Sequence, residues 1–376
     1  MRGGVQTVAS QIAYGMKNKN YIVHVLTNKY PRFLKKEEVI SGIKVSRYPH
    51  PVDRIFVNSG FKHFVFSMWS QLFFNHSLRL IDQRVNELNP DVINVHFPTH
   101  QLRYLRKLTS NNKAKIVLSF HGHEVTRWFQ EKDGVVTNVL RKLISDEKIV
   151  LNELKLAVNN CDSFTTCSSW LLAKIHMLIP SSIGKGFVIH NGVEVSRFKE
   201  CDNPKIINNQ IFSFGRLEYD KGFDLLICAF KEMLIHKPGL SLVIAGSGSE
   251  HSRLKRMIED LSLTEYVFII KWQKPNKILE LLNTSSIVVV PSRRESFGIT
   301  VLEGLSSLKP VVATTVGGIP EILQNYGILV SPTVNGIVEG LKSAFNFTMN
   351  EKEIRNHLKE FELSKMLKKY ESIFIT

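Results

Sequence analysis

The stretch SSIVVVPSRRESFGITVLEGLSSL, Ser285–Leu308, decides the fold. Its first part, Ile287–Val290, is an unbroken β-branched run, the composition of a strand buried on both faces of a parallel sheet. Its last part repeats Ile299, Leu302 and Leu305 at helical spacing. Between them Pro291–Gly298 is a polar turn. Strand, turn and helix make the unit of an open α/β sheet, and such sheets bind ligands at the carboxyl ends of their strands. Glu295 falls on the turn, and Glu303, eight residues on, falls within the helix. A helix start attracts anions, and a carboxylate accepts hydrogen bonds from hydroxyls. The stretch reads as a binding loop for a molecule carrying both phosphate and hydroxyl groups.

The same alternation runs along the whole chain. YIVHVLT, DVINVHF, KIVLSFH, SFTTCSS and GFVIHNG are short strand-like runs in the first half, separated by helical segments such as LRLIDQRVNEL. After the polar stretch Glu200–Asn209 the series restarts with QIFSFGR, SLVIAG, YVFII, SIVVVPS and PVVATT. Two β-α-β arrays joined by a polar linker predict two doubly wound domains, residues 1–200 and 201–350, facing each other across a cleft. KEIRNHLKEFELSKMLKKYESIF, within 351–376, reads as one long charged helix packing back across the first domain.

Bulk properties narrow the classes. The chain has 376 residues, 43% hydrophobic and 22% charged, a soluble globular composition long enough for two or three domains. Cys161, Cys167, Cys201 and Cys228 form no C-x-x-C pair and no metal spacing, so they read as reduced cytosolic thiols. The N-terminus lacks the apolar core of a signal peptide. The net charge of +15 is uneven: residues 1–200 carry 28 Lys/Arg against 15 Asp/Glu, and residues 201–376 carry 21 against 19. A basic first half suits a polyanion such as an anionic membrane or a phosphorylated lipid; nucleic acid is not the expected partner. Phe61–Leu78, dense in Phe and Trp, is too short and too polar to span a bilayer; it reads as a buried domain helix or, alternatively, an interfacial one.

Several enzyme classes are excluded by motif. SLVIAGSGSE has Gly246 and Gly248 but lacks the third glycine of a dinucleotide fingerprint, and neither a P-loop nor a G-x-S-x-G elbow occurs. FSFGRLEYDKGF instead sets Arg216 and Lys221 five apart after a strand, where a guanidinium fork and an ammonium can neutralise a diphosphate.

Taken together, FSFGRLEYDKGFDLL, LVIAGSGSE, VVVPSRRESFGITVLEGLSSLKPVVATTVGGIPEIL and IHNGVEVSRF resemble, in order and spacing, glycosyltransferase family 4, the retaining GT-B enzymes that use nucleotide sugars. The resemblance is densest over Asn191–Leu323. It implies that Glu303 holds the nucleotide ribose and Glu295 a hydroxyl of the donor sugar. Backbone N–H groups at Phe297, Gly298 and Ile299 would meet sugar and phosphate. Arg216 and Lys221 would offset charge on the departing diphosphate, so that neither a metal nor a cofactor is needed. It places His121, in KIVLSFHGHE, opposite the reacting sugar, and Gly3 and Gly4 in a loop approaching the donor phosphate. Transfer would proceed on one face of the sugar, the leaving phosphate taking the acceptor proton. A metal site built on His121 and His123 with His96 or His100 is the weaker reading; His96 fits a cleft or strand-end position. Asn191-Gly192 resembles the interdomain turn, with Gly192 serving backbone shape.

The sequence departs from the family in places. The strand expected before Gly3-Gly4 is absent, so the expected start lies upstream of Met1, the alternative being a damaged copy. Leu308 stands where the family usually has Gly, Gly304 where it has Ala, and Lys271 where Gly is frequent. The resulting expectation is a cytoplasmic, or peripherally membrane-bound, transferase. It would move a sugar from a UDP- or GDP-sugar to a glycan or lipid-linked acceptor of a bacterial surface polysaccharide or lipopolysaccharide. A nucleotide-sugar 2-epimerase of the same architecture and a non-catalytic binding paralogue are the alternatives.

Overall fold

The computed structural model describes residues 4–29, 33–48, 76–77, 79–96, 114–122, 125, 146–199, 207 and 209–376. The chain forms two compact units. The larger comprises Met1–Gly4, Phe120–Glu131 and Thr165–Lys369; the smaller comprises Val5–Ser119, Lys132–Phe164 and Tyr370–Thr376. Of Phe61–Leu78, only His76 and Ser77 are among the described residues.

Helix α1 (Gly4–Asn18) buries Val8, Ile12 and Met16, one helical stripe. Strands β1 (His24–Asn28), β2 (Glu37–Ile40) and β3 (Ile43–Tyr48) form a sheet in the order β1-β3-β2. β1 runs parallel to β3, whereas β2 and β3 are an antiparallel hairpin closed by Ser41 and Gly42 at φ 48° and 77°. Positive φ at both turn residues matches the twist of the flanking strands. Strands β4 (Val92–His96) and β5 (Lys115–Phe120) pair in parallel from Val92↔Lys115 to His96↔Ser119. After α2 (Asp146–Asn160), β6 (Ser163–Thr166), α3 (Ser169–Leu178) and β7 (Gly186–Val188) complete a sheet ordered β4-β5-β6-β7.

The six-stranded sheet carries the site. It comprises β8 (Gln210–Arg216), β9 (Ser241–Ser247), β10 (Val267–Ile270), β11 (Ile287–Val290), β12 (Val311–Thr314) and β13 (Ile328–Val330), all parallel, in the order β10-β9-β8-β11-β12-β13. The interleaved helices are α4 (Phe223–His236), α5 (His251–Asp260), α6 (Pro275–Thr284), α7 (Ile299–Ser306), α8 (Ile319–Leu323) and α9 (Val334–Ala344). Ile211, Leu242, Ile244, Ile287 and Val289 share one core with Leu226, Phe230, Ile258, Ile337 and Leu341. Burying each such side chain contributes about 1.5–3 kcal/mol. The strand order reverses between β8 and β11. That is the switch point of a doubly wound sheet, where the loops after two neighbouring strands diverge and leave a crevice.

One expectation is corrected here. The final segment is not a single helix: α10 (Glu351–Leu358) gives way to a 3-10 turn at Lys359–Phe361, and α11 (Leu363–Ile375) starts afresh. Glu362 is extended, and around it the Val193 N–H donates to the Phe361 carbonyl while the Leu363 N–H donates to that of Val193. Pairing with Val193 diverts two backbone groups from the helix ladder, so the helix breaks there. A Cβ at Gly192 would lie 2.6 Å from the Leu363 Cα, which accounts for glycine beside this crossing.

Candidate functional site

The site is built where β8 and β11 end. Arg216 closes β8 with its side chain exposed and, among the described residues, no hydrogen-bonding partner. Leu217, fully buried, turns the chain back: its N–H donates to the Ser247 carbonyl (3.1 Å), and its carbonyl accepts from Glu250 (2.9 Å). A 3-10 turn, Tyr219–Lys221, then reaches Gly222 at φ 65°, where α4 starts. A Cβ there would collide with the Pro291 carbonyl, so glycine brings the Lys221 corner onto the end of β11.

The loop after β11 is fastened to that corner. Arg293 grips Asp224 in a fork (2.6 and 3.0 Å) and lies 4.2 Å over the Tyr219 ring, while Arg253 reaches Asp224 at 3.2 Å. Burial opposes the charge on Asp224, but Arg293 and Arg253 hold its carboxyl below the usual range. The N–H groups of Arg293 and Arg294 both donate to the Asp220 carbonyl. Arg293 is therefore structural, and sequence reading did not single it out. Its bidentate partner lies 69 residues away with no local signal.

The two glutamates have different surroundings. Glu295 is ion-paired with Lys221, so two of the expected site residues meet directly. Phe297 is buried, its ring 5.8 Å from His190 and 6.3 Å from Phe361. Gly298, at φ 110°, leads into α7 with no side chain capping the helix. The start of α7 thus presents backbone N–H groups and the positive end of the helix dipole. Gly4 stands beside this start, 3.7 Å from the Ile299 Cδ1 when given a Cβ; Gly3 lies outside the described residues. The Glu303 carboxylate has no hydrogen-bonding partner among the described residues. Surrounding protein pushes its pKa up to about 7, with Arg197 opposing the shift. Arg197, in the 3-10 turn Val195–Lys199, is held by Asn276 at 3.1 Å. At neutral pH Glu303 is a half-buried carboxyl poised between its two forms.

The departures noted in sequence have physical readings. A Cβ at Gly304 would come within 2.8 Å of Val311 and 3.3 Å of Val288, so its absence lets α7 sit close on β11 and β12. Leu308 occupies the left-handed region at φ 52°, a conformation that favours the glycine usual there. Lys271 follows β10 and is exposed.

His121 follows β5 and is half-buried. The next residue, Gly122 at φ 119°, lies so close to Ser296 that a Cβ would collide with its Oγ. The His121 segment and the Glu295–Ser296 loop are thereby brought together in the larger unit. His96 closes β4 in the smaller unit, and burial lowers its pKa to about 4, leaving it neutral. His100, His123 and Glu124 lie outside the described residues. Among the described residues no group of three His, Cys, Asp or Glu is arranged to hold a metal ion, and no helix is long and apolar enough to cross a membrane.

Two family models match nearly end to end: Glycosyltransferase Family 4 over residues 2–197 and Glycosyl transferases group 1 over 202–362. The chain belongs to glycosyltransferase family 4. Its fold is accordingly GT-B, α/β with parallel sheets in two Rossmann-like domains. The structure is similar to that of sucrose-phosphate synthase from Thermosynechococcus elongatus (TM-score 0.80, 16% identity, 99% of this chain and 93% of that one). It is also similar to Anabaena HepE in complex with UDP (TM-score 0.71, 17% identity, covering 99% and 96%). Among curated proteins, it is 28% identical over 193 residues to glycogen synthase of Mycobacterium tuberculosis, covering 50% of this chain and 47% of the relative. It is 22% identical over 401 residues to N-acetyl-alpha-D-glucosaminyl L-malate synthase of Bacillus anthracis, covering 99% and 93%. The chain spans less than half the length of the first four curated relatives it matches, 41 to 47% of each.

Other contributors have no local signal in the sequence. Ser168, Gly317 and Gly318 bear on the backbone of Glu295 and Ser296, and Glu321 holds the start of α3 beside them. GGIPE falls within the family pattern, but the α3 partners of Glu321 lie well over a hundred residues back in the chain.

Proposed function

We propose that the chain is a retaining glycosyltransferase that takes its sugar from a nucleotide diphosphate donor, UDP-linked or GDP-linked. One observation carries the reading. At the switch point of one parallel sheet, the loops after β8 and β11 and the helix that follows bring together, among the described residues, an arginine with no side-chain partner, a lysine–glutamate pair, an uncapped helix start and a glutamate whose carboxylate has no hydrogen-bonding partner. Phosphate charge suits the first, second and third of these, and a vicinal diol suits the fourth.

In this reading the ribose hydroxyls donate to Glu303, and the diphosphate lies across the start of α7. Arg216, free of a protein partner among the described residues, meets the phosphate bidentately. Lys221 turns part of its charge from Glu295 toward the leaving oxygen, and Glu295 is released to accept from a sugar hydroxyl. As the glycosidic bond breaks, negative charge grows on the diphosphate, where these cations and N–H groups already stand. Groups fixed before reaction stabilise a transition state more than groups that must reorganise. The leaving phosphate takes the acceptor proton, so His121 serves by contacting the sugar rather than as a base. No metal or cofactor is assigned a part. UDP is the first base to test, because the similar HepE structures are complexes with UDP, with UDP and glucose, and with UDP-glucose.

Residues 1–200 would supply the acceptor side and 201–350 the donor side. The charge of residues 1–200 supports an anionic or lipid-linked acceptor, with a surface polysaccharide or lipopolysaccharide as the first class to assay and the cytoplasmic membrane face as the location. The test is direct. The full chain is titrated with UDP and with GDP, and release of nucleotide from UDP- and GDP-sugars is followed with glycolipid acceptors. Stabilisation by neither nucleotide, together with no turnover, would remove the reading. Free epimer formed without acceptor would replace transfer by epimerisation.

A further inference from the structure

Glu295 and Ser296 occupy a turn whose own sequence does little to hold it, and the restraint comes from elsewhere in the larger unit. The Gly318 N–H donates to the Glu295 carbonyl (3.2 Å). A Cβ at Gly317, at φ 57°, would collide with that same carbonyl, and one at Gly318 would lie 2.5 Å from the Ser296 carbonyl. The Gly317–Gly318 pair is thus laid flat on the backbone of the donor loop. Three residues on, Glu321 uses both carboxylate oxygens on the start of α3, accepting from the Ser169 N–H (2.8 Å) and the Trp170 N–H (2.7 Å). The His190 Nε2 is 3.4 Å away. The residue before α3, Ser168, donates its hydroxyl to the Ser296 carbonyl (2.7 Å) while accepting from the Leu171 N–H (3.2 Å). The circuit closes: α3 grips Ser296 through Ser168, and grips the glycine pair lying on Glu295 through Glu321.

We infer that Glu321 is a positioning residue, a carboxylate strap across the start of α3 that, with Ser168, fixes the Glu295–Ser296 backbone so that Glu295 is aimed at the donor sugar. A carboxylate suits this duty because each of its two acceptor oxygens takes one helix N–H, and the charge strengthens both bonds. Its charge also faces the positive end of the helix. Burial opposes ionisation of Glu321, while hydrogen bonds from His190, Ser169 and Trp170 hold its carboxyl below the usual range. An amide in the same place keeps one acceptor and turns an N–H₂ toward the second helix N–H. Glu321→Gln therefore releases half of the strap with almost no change of size. The ribose-facing Glu303 is carried by α7, whose Val301, Leu302 and Leu305 are fully buried and do not depend on the strap.

This inference rests on the function proposed above, and its test separates the two. Amide hydrogen exchange is measured at Gly318, whose N–H donates to the Glu295 carbonyl, in the full chain, for the unaltered protein, Glu321→Gln and Ser168→Ala, alongside thermal melting and titration with UDP. The strap predicts at least tenfold faster exchange at Gly318 in each variant. The melting temperature should stay within about 3 °C and the UDP dissociation constant within threefold. With a donor that turns over, kcat should fall at least tenfold at nearly constant donor KM. Exchange within twofold of the unaltered protein in both variants overturns the inference. Should Glu321→Gln fail to fold, Ser168→Ala decides it alone. If the unaltered protein does not bind UDP, the functional reading loses its first-choice base, while the exchange result still judges the strap.

Discussion

Glu303→Gln should make the protein more stable and less able to bind its nucleotide, with the gain in stability dependent on pH. The carboxyl titrates near 7 in the folded chain, against an ordinary value of 4.5, because enclosure disfavours its charge. The sign follows from proton counting. Between pH 4.5 and 7 the folded state binds more protons than the unfolded one, so stability falls as pH rises through that window. Below 4.5 both states are protonated and there is no cost. Above 7 both are ionised, and the folded state bears the full penalty, about 3 kcal/mol for a shift of this size. Glutamine keeps the shape and removes the titration. Relative to the unaltered chain, its advantage should be near zero at about pH 4.5 and approach about 3 kcal/mol at about pH 8, a rise of several degrees in melting temperature. Calorimetry of both proteins at roughly pH 5, 6, 7 and 8 measures it. In the same samples nucleotide affinity should fall by about 1.5–3 kcal/mol, since hydrogen bonds to a charged acceptor are lost. Equal stabilisation at the two ends of that pH range, or none at all, would refute the argument that Glu303 is a desolvated charge that Arg197 offsets only in part.

Other perturbations have equally definite outcomes. Lys221→Ala leaves Glu295 without its ion-pair partner and removes one cation from the phosphate. Turnover should drop at least a hundredfold, about 2.7 kcal/mol or more of transition-state stabilisation, read as kcat/KM. Arg293→Met deprives Asp224 of its fork while Arg253 remains. A loss of about 1–3 kcal/mol in unfolding free energy is expected, visible as a lower melting temperature with nucleotide affinity little changed. Leu308→Gly relieves a left-handed conformation at the end of α7 and should raise stability by about 0.5–1 kcal/mol in denaturant unfolding, a net of lost strain and lost packing.

What can be read from the chain in advance is whatever depends on neighbours in sequence. The β-branched runs at Ile287–Val290 and Val311–Thr314 are strands because no other structure buries them on both sides. Gly298 and Gly222 mark the two helix starts because the chain must pass through positive φ there. Illegible features are those that need a distant partner. The hairpin at Ser41–Gly42 is hidden because neither strand that it joins alternates cleanly. The break at Lys359–Glu362 is hidden because Ile354, Leu358 and Phe361 keep a helical period right up to it, and the pairing that ends the helix is with Val193, far back in the chain.

The charges show the same division. Sequence places Arg216, Lys221, Arg293, Arg294 and Glu295 at one sheet edge, and counting them suggests a strongly cationic mouth. The fold distributes them otherwise. Arg293 is committed to Asp224, Arg294 lies 3.4 Å from Asp220, and Lys221 is balanced by Glu295. That leaves Arg216 as the one of these cations without an opposing carboxylate among the described residues, beside an uncapped helix start. A mouth poised so close to neutrality does not hold an arriving diphosphate through bulk attraction. On the function proposed above it would hold it by exchange, in which the phosphate displaces Glu295 from Lys221 and Glu295 finds its replacement partner on the sugar. On that account phosphate alone would strand Glu295 beside a competitor for its lysine, whereas a sugar diphosphate satisfies both ends of the pair. The Lys221–Glu295 bridge, which in isolation looks like a stabilising surface contact, then acts as a selectivity device that favours a phosphate with a sugar attached over the phosphate itself.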